Sequence, residues 1–195
     1  MTSDFSKPIR CFIAIDIPEA VKAHIAELQG ALRQYGARIS WARSEGIHLT
    51  LKFLGDVRQD LIPGISKALE SVTVSTEAFI VSAKGVGCFP NSRRPRVLWV
   101  GLDGGNDLIQ LQQVVETALV PLGFKREKRK FNPHLTLGRI KGPQGVDNVV
   151  QEMERLGFPK QEFPASEIRL MQSDLQPSGA VYSVLKAMSL LPPRS

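Results

Sequence analysis

A tetrapeptide that occurs twice constrains the fold of this chain more than any other feature. The sequence HLTL at residues 48–51 recurs at residues 134–137, 86 positions later, and the two copies contain two of the three histidines in the chain. Repetition of this kind is typical of a chain built from two copies of one structural unit. We therefore expect the sequence around each copy to repeat as well.

The segments on either side of the two copies have matching hydrophobic patterns. Before each copy, apolar residues recur every three or four positions, which predicts an amphipathic helix, and the pattern ends at Gly36 or Gly123. A second amphipathic helix is predicted after each copy. The apolar positions of the four helices are Val21, Ile25, Leu28, Leu32 and Tyr35; Leu61, Ile65, Leu69 and Val72; Leu108, Leu111, Val115, Leu119 and Leu122; and Val146, Val150, Met153 and Leu156.

Strand-like runs complete each unit. A strand is predicted at 11–17, a pair at 78–86 and 96–102 around the turn signal Pro90-Asn91-Ser92, and a pair at 166–175 and 180–188 around Pro177-Ser178-Gly179. These elements predict an α+β fold with two pseudo-symmetric lobes. Each lobe is an antiparallel sheet with helices on its outer face, and the two lobes form a central cleft.

We expect a single bilobal domain over residues 1–195, with an internal duplication of roughly 8–102 and 103–191. The chain is expected to cross between the lobes near the turn-rich stretch 103–106, although exchange of strands between the sheets stays open. No apolar run approaches the ~20 residues of a membrane helix, and the N-terminus lacks a signal-like apolar stretch. Two cysteines are too few for a disulfide framework, so a cytoplasmic location is expected. A self-contained two-lobed chain is expected to be a monomer.

Each HLTL copy is interpreted as a strand. Because side chains alternate along a strand, His48, Thr50 and Lys52 are expected on the face opposite the leucines, and His134 and Thr136 likewise. Pseudo-twofold symmetry would bring both polar pairs to one cleft. A histidine has an ordinary pKa near 6.5, so two of them can serve as general base and general acid. In-line displacement at phosphorus needs these groups on opposite sides, and threonine hydroxyls can donate to phosphate oxygens.

Other chemistries have weaker support in the sequence. A catalytic zinc ion usually takes three protein ligands, but the chain has no HxxxH or CxxC pattern and no carboxylate at an obvious ligand position within either copy. The sequence also lacks a nucleophile elbow and a glycine-rich phosphate loop. We therefore expect no metal and no cofactor.

The charge of the chain favours a polyanionic partner. Lysine and arginine number 25 against 19 acidic residues, which gives a net charge of +6. Such a field attracts nucleic acid, although two solvated basic loops without a partner are the alternative. The clustered basic residues are Lys125, Arg126, Lys128, Arg129 and Lys130, just before the second copy, and Arg93, Arg94 and Arg96.

The two copies resemble the HxTx motifs of the 2H (two-histidine) phosphoesterases. The sequences at 12–18, 48–55, 96–102, 131–139 and 175–185 are similar to those of the bacterial and archaeal RNA 2′,3′-cyclic phosphodiesterases, once called 2′-5′ RNA ligases. The resemblance implies hydrolysis of 2′,3′-cyclic phosphate ends of RNA to 2′-phosphomonoesters without a metal. The sequence leaves open which RNA is the substrate, and tRNA fragments are one candidate. The resemblance also implies a weak, ATP-independent 2′-5′ joining of RNA ends.

The resemblance assigns roles to four residues of the motifs. It implies that His48 is the proton donor to the departing 3′ oxygen and that His134 is the base that activates water. The two copies are equivalent on sequence alone, so the residues themselves leave this assignment open. Thr50 and Thr136 are implied to hold the phosphate.

The resemblance also implies that Arg139 and Phe53, each five residues after a histidine, contact the terminal nucleotide. Strand alternation puts both on the face opposite the histidines unless the strand ends or bulges first, so Phe53 in the core is an equal alternative. Trp41 is interpreted as core, with stacking on a base as the alternative. Two other functions stay open: a phosphodiesterase acting on a small cyclic nucleotide such as an ADP-ribose cyclic phosphate, and a non-catalytic module that binds RNA ends.

Overall fold

The computed structural model describes residues 7–176 and 179–193, which form nine strands and four helices. The helices are α1 (Glu19–Arg33), α2 (Ile62–Thr73), α3 (Gly105–Leu119) and α4 (Val146–Leu156). The strands are β1 (Ile9–Asp16), β2 (Ile39–Trp41), β3 (His48–Val57), β4 (Phe79–Phe89), β5 (Val97–Asp103), β6 (His134–Ile140), β7 (Gln161–Ala165), β8 (Glu167–Gln176) and β9 (Gly179–Ser189). None of the described helices is long and apolar enough to cross a membrane.

The four helices form where the hydrophobic patterns predicted them. Their apolar stripes are buried in the core, as Ile25 of α1, Leu69 of α2, Leu111 of α3 and Met153 of α4 illustrate. The burial of one stripe per helix is the main source of their stability, since helices of this length are marginal in isolation. Four predicted positions differ: Leu156 ends α4 and is exposed, and Tyr35, Leu61 and Leu122 lie just beyond the ends of their helices.

The strand pattern missed two short edge strands. β2 has three residues, and β7 contains Pro164, which has no N–H to donate to a neighbouring strand. Both lie at the edges of their sheet, where a missing donor is tolerated. The predicted turn after β4 is confirmed, and the Asn91 side chain accepts hydrogen bonds from the N–H groups of Arg93 and Arg94. Of the second predicted turn, Pro177 and Ser178 lie outside the described residues.

Two antiparallel sheets confirm the predicted α+β fold. The sheet named A has the strand order β3-β1-β8-β9, and the sheet named B has the order β2-β6-β5-β4-β7. Each sheet takes strands from both halves of the sequence. The stretch 103–106 joins β5 of sheet B to α3, which packs against sheet A, so the expected crossing does occur there but is one of several. The duplication of 8–102 and 103–191 stays a prediction from the sequence.

The helices are exchanged between the lobes as well. α1 follows β1 of sheet A but packs with α4 on sheet B, whereas α3 follows β5 of sheet B but packs with α2 against sheet A. Each sheet thus has two helices on its outer face and leaves its other face for the cleft. This exchange ties the two lobes into one body.

Two buried polar side chains at equivalent helix positions secure the exchange. Gln29 and Glu116 each lie seven residues before the glycine that follows their helix, and both are almost fully buried. Gln29 Nε2 of α1 donates to the carbonyl oxygen of Leu137 in β6 at 2.8 Å. Glu116 of α3 accepts a hydrogen bond from Lys52 Nζ in β3 at 2.5 Å. Each HxTx strand is therefore fixed to a helix that comes from elsewhere in the chain.

The Lys52–Glu116 pair gives a prediction about stability. Glu116→Gln should reduce the free energy of unfolding by about 3–5 kcal/mol, because it leaves the buried Lys52 ammonium without a counter-charge. The measurement is urea unfolding at neutral pH. Glu162→Gln is the matched control, since Glu162 pairs with Lys160 in solvent and its loss should cost less than about 1 kcal/mol. Equal losses in the two variants would contradict the role of the buried pair.

Candidate active site

The two motif histidines begin the strands β3 and β6, which lie next to each other where sheets A and B meet. His48 pairs with Asp16 of β1, and His134 pairs with Gly101 of β5. The leucines of both motifs face the helices and are fully buried, whereas the histidines and threonines are only half-buried on the opposite faces. The predicted division of each motif into a core face and a cleft face is thus found in both sheets.

A β-bulge interrupts each motif at the same position. In β3, Leu51 is an extra residue between the pairs Ala14–Thr50 and Ile13–Lys52, and in β6 Leu137 is the extra residue. A bulge reverses the alternation of side chains beyond it. Phe53 therefore lies on the same face as His48, and Arg139 on the same face as His134.

The bulge also corrects the expected position of Lys52. Strand alternation predicted that Lys52 shares a face with His48 and Thr50, but Lys52 follows the bulge and points to the helix side. There it is buried between Glu116 and the carbonyl oxygen of Lys125, to which its ammonium donates at 2.8 Å. The side chain has a structural position instead of a place in the cleft.

A backbone carbonyl orients each imidazole. His134 Nδ1 lies 2.8 Å from the carbonyl oxygen of Asn132, and His48 makes a corresponding hydrogen bond to the backbone of Gly46. Because a carbonyl oxygen only accepts, the bonded ring nitrogen must carry the proton. The Nε2 atom of neutral His134 is therefore unprotonated and able to accept a proton.

Aromatic side chains surround His48. The ring of Phe12 stacks on the imidazole with 4.6 Å between centroids, and the ring of Tyr182 meets it edge-on at 5.2 Å. Phe53 lies beyond Phe12, with 6.1 Å between their rings, and 67% of its surface is exposed. The core alternative for Phe53 is therefore wrong, and its ring is accessible to a ligand.

His134 has an aromatic neighbour of its own. Phe89 of β4 meets the imidazole edge-on at 4.9 Å, and Trp99 of β5 lies beside Phe89 at 5.3 Å. Trp99 covers Gly87, where an added Cβ would lie only 2.3 Å from the indole. Trp99 therefore packs on the cleft face of sheet B, against Phe89 and Gly87.

Burial lowers the pKa of both histidines. For His48 the pKa falls to about 4, because burial outweighs the Asp16 carboxylate and the Gly46 hydrogen bond, which raise it, while Lys22 lowers it. For His134 burial again has the largest effect on the pKa, the Asn132 hydrogen bond opposes it, and the Arg139 charge lowers the pKa further. Both rings are therefore neutral at neutral pH in the free protein.

The remaining predicted site residues are accessible from the cleft. Thr50 and Thr136 are half-buried, and neither hydroxyl has a hydrogen-bond partner within the described part of the chain. The Arg139 side chain is exposed and close enough to His134 to influence its pKa. These groups surround the rings with free donors and one positive charge, which is a suitable environment for an anion.

Trp41 lies away from the cleft. Its ring packs at Gly138 on the helix side of sheet B, and the Arg33 guanidinium of α1 lies 5.8 Å above it. The core interpretation of Trp41 is confirmed.

Both predicted basic clusters are accessible to solvent. Their residues are Lys125, Arg126, Lys128, Arg129 and Lys130, and Arg93, Arg94 and Arg96.

A pocket of 290 Å³ adjoins His48 on the inner face of sheet A. Asp16 in this pocket is paired with Arg169 at 2.7 Å and with Lys22 at 3.4 Å. Within residues 7–176 and 179–193, no three His, Cys, Asp or Glu side chains are grouped so that they could hold a metal ion.

The sequence analysis did not identify Phe12, Tyr182, Phe89 or Asp16 as site residues. Alternation along β1 places Phe12 and Asp16 on one face, but their proximity to His48 follows only once β3 is known to be the partner of β1. Tyr182 and Phe89 depend on the order of strands in each sheet, which no local pattern contains.

Comparisons with known proteins agree with this geometry. A protein of Methanothermobacter thermautotrophicus is 32% identical over 183 residues, or 93% of this chain and 99% of that protein. A protein of Methanocaldococcus jannaschii is 36% identical over 182 residues, or 91% of this chain and 99% of that protein. Both relatives are named RNA 2′,3′-cyclic phosphodiesterase.

Solved structures share the fold. A crystal structure from Thermus thermophilus superposes with a TM-score of 0.79 and 25% identity, and covers 95% of this chain and 100% of that chain. Apo E. coli LigT superposes with a TM-score of 0.75 and 24% identity, and the match covers 95% of this chain and 99% of the LigT chain.

Two sheets that each present an HxTx motif on a helix-free face define a 2H phosphoesterase. The family profile of the 2′-5′ RNA ligase superfamily matches residues 17–177, and the chain belongs to this family.

The burial of His48 predicts a pH-dependent stability. The unfolded histidine takes up a proton near pH 6.5, whereas the folded ring, with its pKa of about 4, does so only in more acidic solution. Between these values the unfolded chain binds more protons, so the stabilisation is complete above pH 6.5 and is lost as the pH falls. From pH 7 to pH 4 the free energy of unfolding of the native chain should therefore fall by about 3 kcal/mol more than that of His48→Gln. Urea unfolding of both proteins at pH 7 and pH 4 measures this difference. An equal decrease in the free energy of unfolding of the two proteins would contradict the prediction.

Proposed function

We propose that the protein hydrolyses 2′,3′-cyclic phosphates at RNA ends to 2′-phosphomonoesters, without a metal ion. The observation that carries this proposal is the pair of carbonyl-oriented imidazoles, His48 and His134, at the start of two adjacent strands. Two imidazoles that can each accept and release a proton suit acid–base chemistry at a phosphorus atom that lies between them. The names of the two archaeal relatives support the same activity.

In the proposed reaction, His134 accepts a proton from water while the water oxygen bonds to phosphorus. The bond between phosphorus and O3′ breaks, and His48 gives a proton to the departing O3′, which leaves the phosphate on O2′. The positive charge of Arg139 suits the base, since it lowers the pKa of His134 and so favours the neutral ring. His48 must acquire its proton, and an anionic phosphate beside the buried ring favours the imidazolium.

The remaining side chains of the cleft are proposed to hold the substrate. The free hydroxyls of Thr50 and Thr136 donate to non-bridging phosphate oxygens, and Arg139 balances the negative charge that they carry. The exposed ring of Phe53 stacks on the terminal base. The bulges support these roles, because they bring Phe53 and Arg139 to the histidine faces.

The same site also supports 2′-5′ joining of RNA ends. When a 5′-hydroxyl replaces water, its oxygen bonds to phosphorus, the O3′ bond breaks, and the ends are joined through O2′. No ATP is needed, because one phosphodiester, the strained cyclic ester, is exchanged for another, the 2′-5′ linkage. We further infer that the enzyme acts as a cytoplasmic monomer.

An RNA chain is the proposed substrate in preference to a small cyclic nucleotide, and tRNA fragments are included. The loop at 125–130 carries five exposed cations and ends four residues before His134, the first residue of β6. Lys52 of β3 donates to the Lys125 carbonyl and so fixes the start of the loop. The Glu127 N–H also donates to the buried Glu116 carboxylate at 3.1 Å. The loop is thus held in position, and its cations can follow the phosphates of a bound strand.

The decisive experiment uses an oligonucleotide that ends in a 2′,3′-cyclic phosphate, incubated with the purified protein in EDTA. We expect conversion to the 2′-phosphomonoester, detected by its release of inorganic phosphate on phosphatase treatment. His48→Ala and His134→Ala should each reduce turnover by roughly 10³-fold, because each removes one proton-transfer group. Unchanged substrate would refute the proposed function, and activity that requires an added metal would refute its metal independence.

Loop lysines should distinguish RNA from a small nucleotide. Lys128→Ala should raise KM for the oligonucleotide several-fold and reduce its salt dependence by about 0.7 in logarithmic slope, since one phosphate contact is lost. The KM for a 2′,3′-cyclic mononucleotide should not change. Lys67→Ala on the outer face of α2 is the matched control and should leave both KM values unaltered. Equal effects of Lys128→Ala on both substrates would contradict the RNA path.

A further inference from the structure

The two histidines have neighbours of opposite charge, although their motifs are identical. Asp16 lies directly opposite His48 in the register of β1 and β3. We propose that Asp16 is a positioning residue for His48: its carboxylate, fixed beside the ring by Arg169 and Lys22, favours the imidazolium and makes His48 the proton donor. This inference rests on the proposed acid–base function.

The position of Asp16 follows from the strand register. Residues directly opposite each other in an antiparallel pair lie on one face, with Cβ atoms roughly 5 Å apart. Asp16 and His48 are such a pair, and both line the same pocket. The Arg169 guanidinium donates to the Asp16 carboxylate at 2.7 Å and to Glu167 at 2.5 Å. Two cations, Arg169 and Lys22, thus hold the carboxylate in place.

Opposite the second motif histidine, the described strands offer no equivalent of this carboxylate. The residue opposite His134 is Gly101, and a Cβ added there would lie 2.9 Å from the carbonyl oxygen of Lys84. The site opposite His134 therefore cannot hold a side chain without a shift of the backbone. The charge that acts on the pKa of His134 is instead that of Arg139. The duplicated histidines are thereby made different by residues outside the HxTx pattern.

The other charged groups around His48 do not replace Asp16. After burial, which lowers the pKa of His48, Asp16 raises it and Lys22 lowers it. Lys22 is itself paired with Asp16 and with Glu19. The charged and titratable groups that line the pocket with His48 are Asp16 of β1, Glu19 and Lys22 of α1, Glu45 of the turn before β3, Arg169 of β8 and Tyr182 of β9.

The test compares Asp16→Asn with the native protein by NMR titration of the His48 ring. With three histidines in the chain, single His→Ala variants assign the imidazole resonances. We expect the midpoint of His48 to move to lower pH by about one pH unit in Asp16→Asn, because a negative charge is lost and two cations remain. Asp16→Glu keeps the charge and should restore most of the midpoint. Glu19→Gln, which removes a carboxylate paired with the same Lys22, is the matched control and should leave the midpoint of His48 in place.

Kinetics give a second readout. Above neutral pH, kcat/KM of Asp16→Asn should be about tenfold lower, because less His48 carries a proton. The difference should shrink as the pH falls and should disappear only below the His48 midpoints of both proteins, where the ring carries a proton in each. A merely structural role would lower kcat/KM equally at every pH, and that result would overturn the proposal.

The NMR result is independent of turnover. An unchanged His48 midpoint in Asp16→Asn, or an equal shift in Glu19→Gln, would overturn the role of Asp16 even if the enzyme is active. Absence of hydrolysis by the native protein would instead refute the proposed function, while the two midpoints would still decide whether Asp16 controls the charge of His48.

Discussion

The cleft depends on the way each HxTx strand is fixed to a helix from elsewhere in the chain. Gln29 of α1 holds the backbone of β6, and Glu116 of α3 holds the Lys52 side chain of β3. Both contacts are buried, and a buried polar group that loses its partner is costly. Each histidine strand is therefore fixed to a helix of its own lobe, and that helix follows directly from a strand of the other sheet. A rigid junction of this kind is what proton transfer across a small anion requires.

Within this frame, one extra residue per strand decides which side chains reach the cleft. The bulges at Leu51 and Leu137 keep both leucines in the core and return Phe53 and Arg139 to the cleft side. The bulge in β3 also turns the Lys52 side chain to the helix side, where it pairs with Glu116. The structural anchor and the substrate-facing residues thus come from one departure from regular strand geometry, and aromatic packing then removes water from both rings.

The sequence was sufficient for features that depend on local pattern. The helices, most strands and the cleft side of His48, Thr50, His134 and Thr136 follow from hydrophobic periodicity within a few residues. The exchange of strands and helices depends on contacts between distant segments, so no local pattern contained it. Lys52 was placed on the wrong face because regular alternation was assumed through a bulge. Asp16 and Tyr182 stayed unnoticed because their proximity to His48 requires the strand order.

The interleaved sheets bear on how such a chain can arise. Neither half of the sequence contains all strands of a sheet. Sheet A combines β1 and β3 of the first half with β8 and β9 of the second, and sheet B combines β2, β4 and β5 of the first half with β6 and β7 of the second. A single copy of the predicted repeat would leave open strand edges that only a second copy could cover. The predicted duplication then implies that the ancestor was a domain-swapped homodimer with its ligand on the twofold axis. Gene fusion would have freed the two equivalent sites to diverge, and a carboxylate on one side with a glycine on the other is the kind of difference that identical subunits could never have acquired.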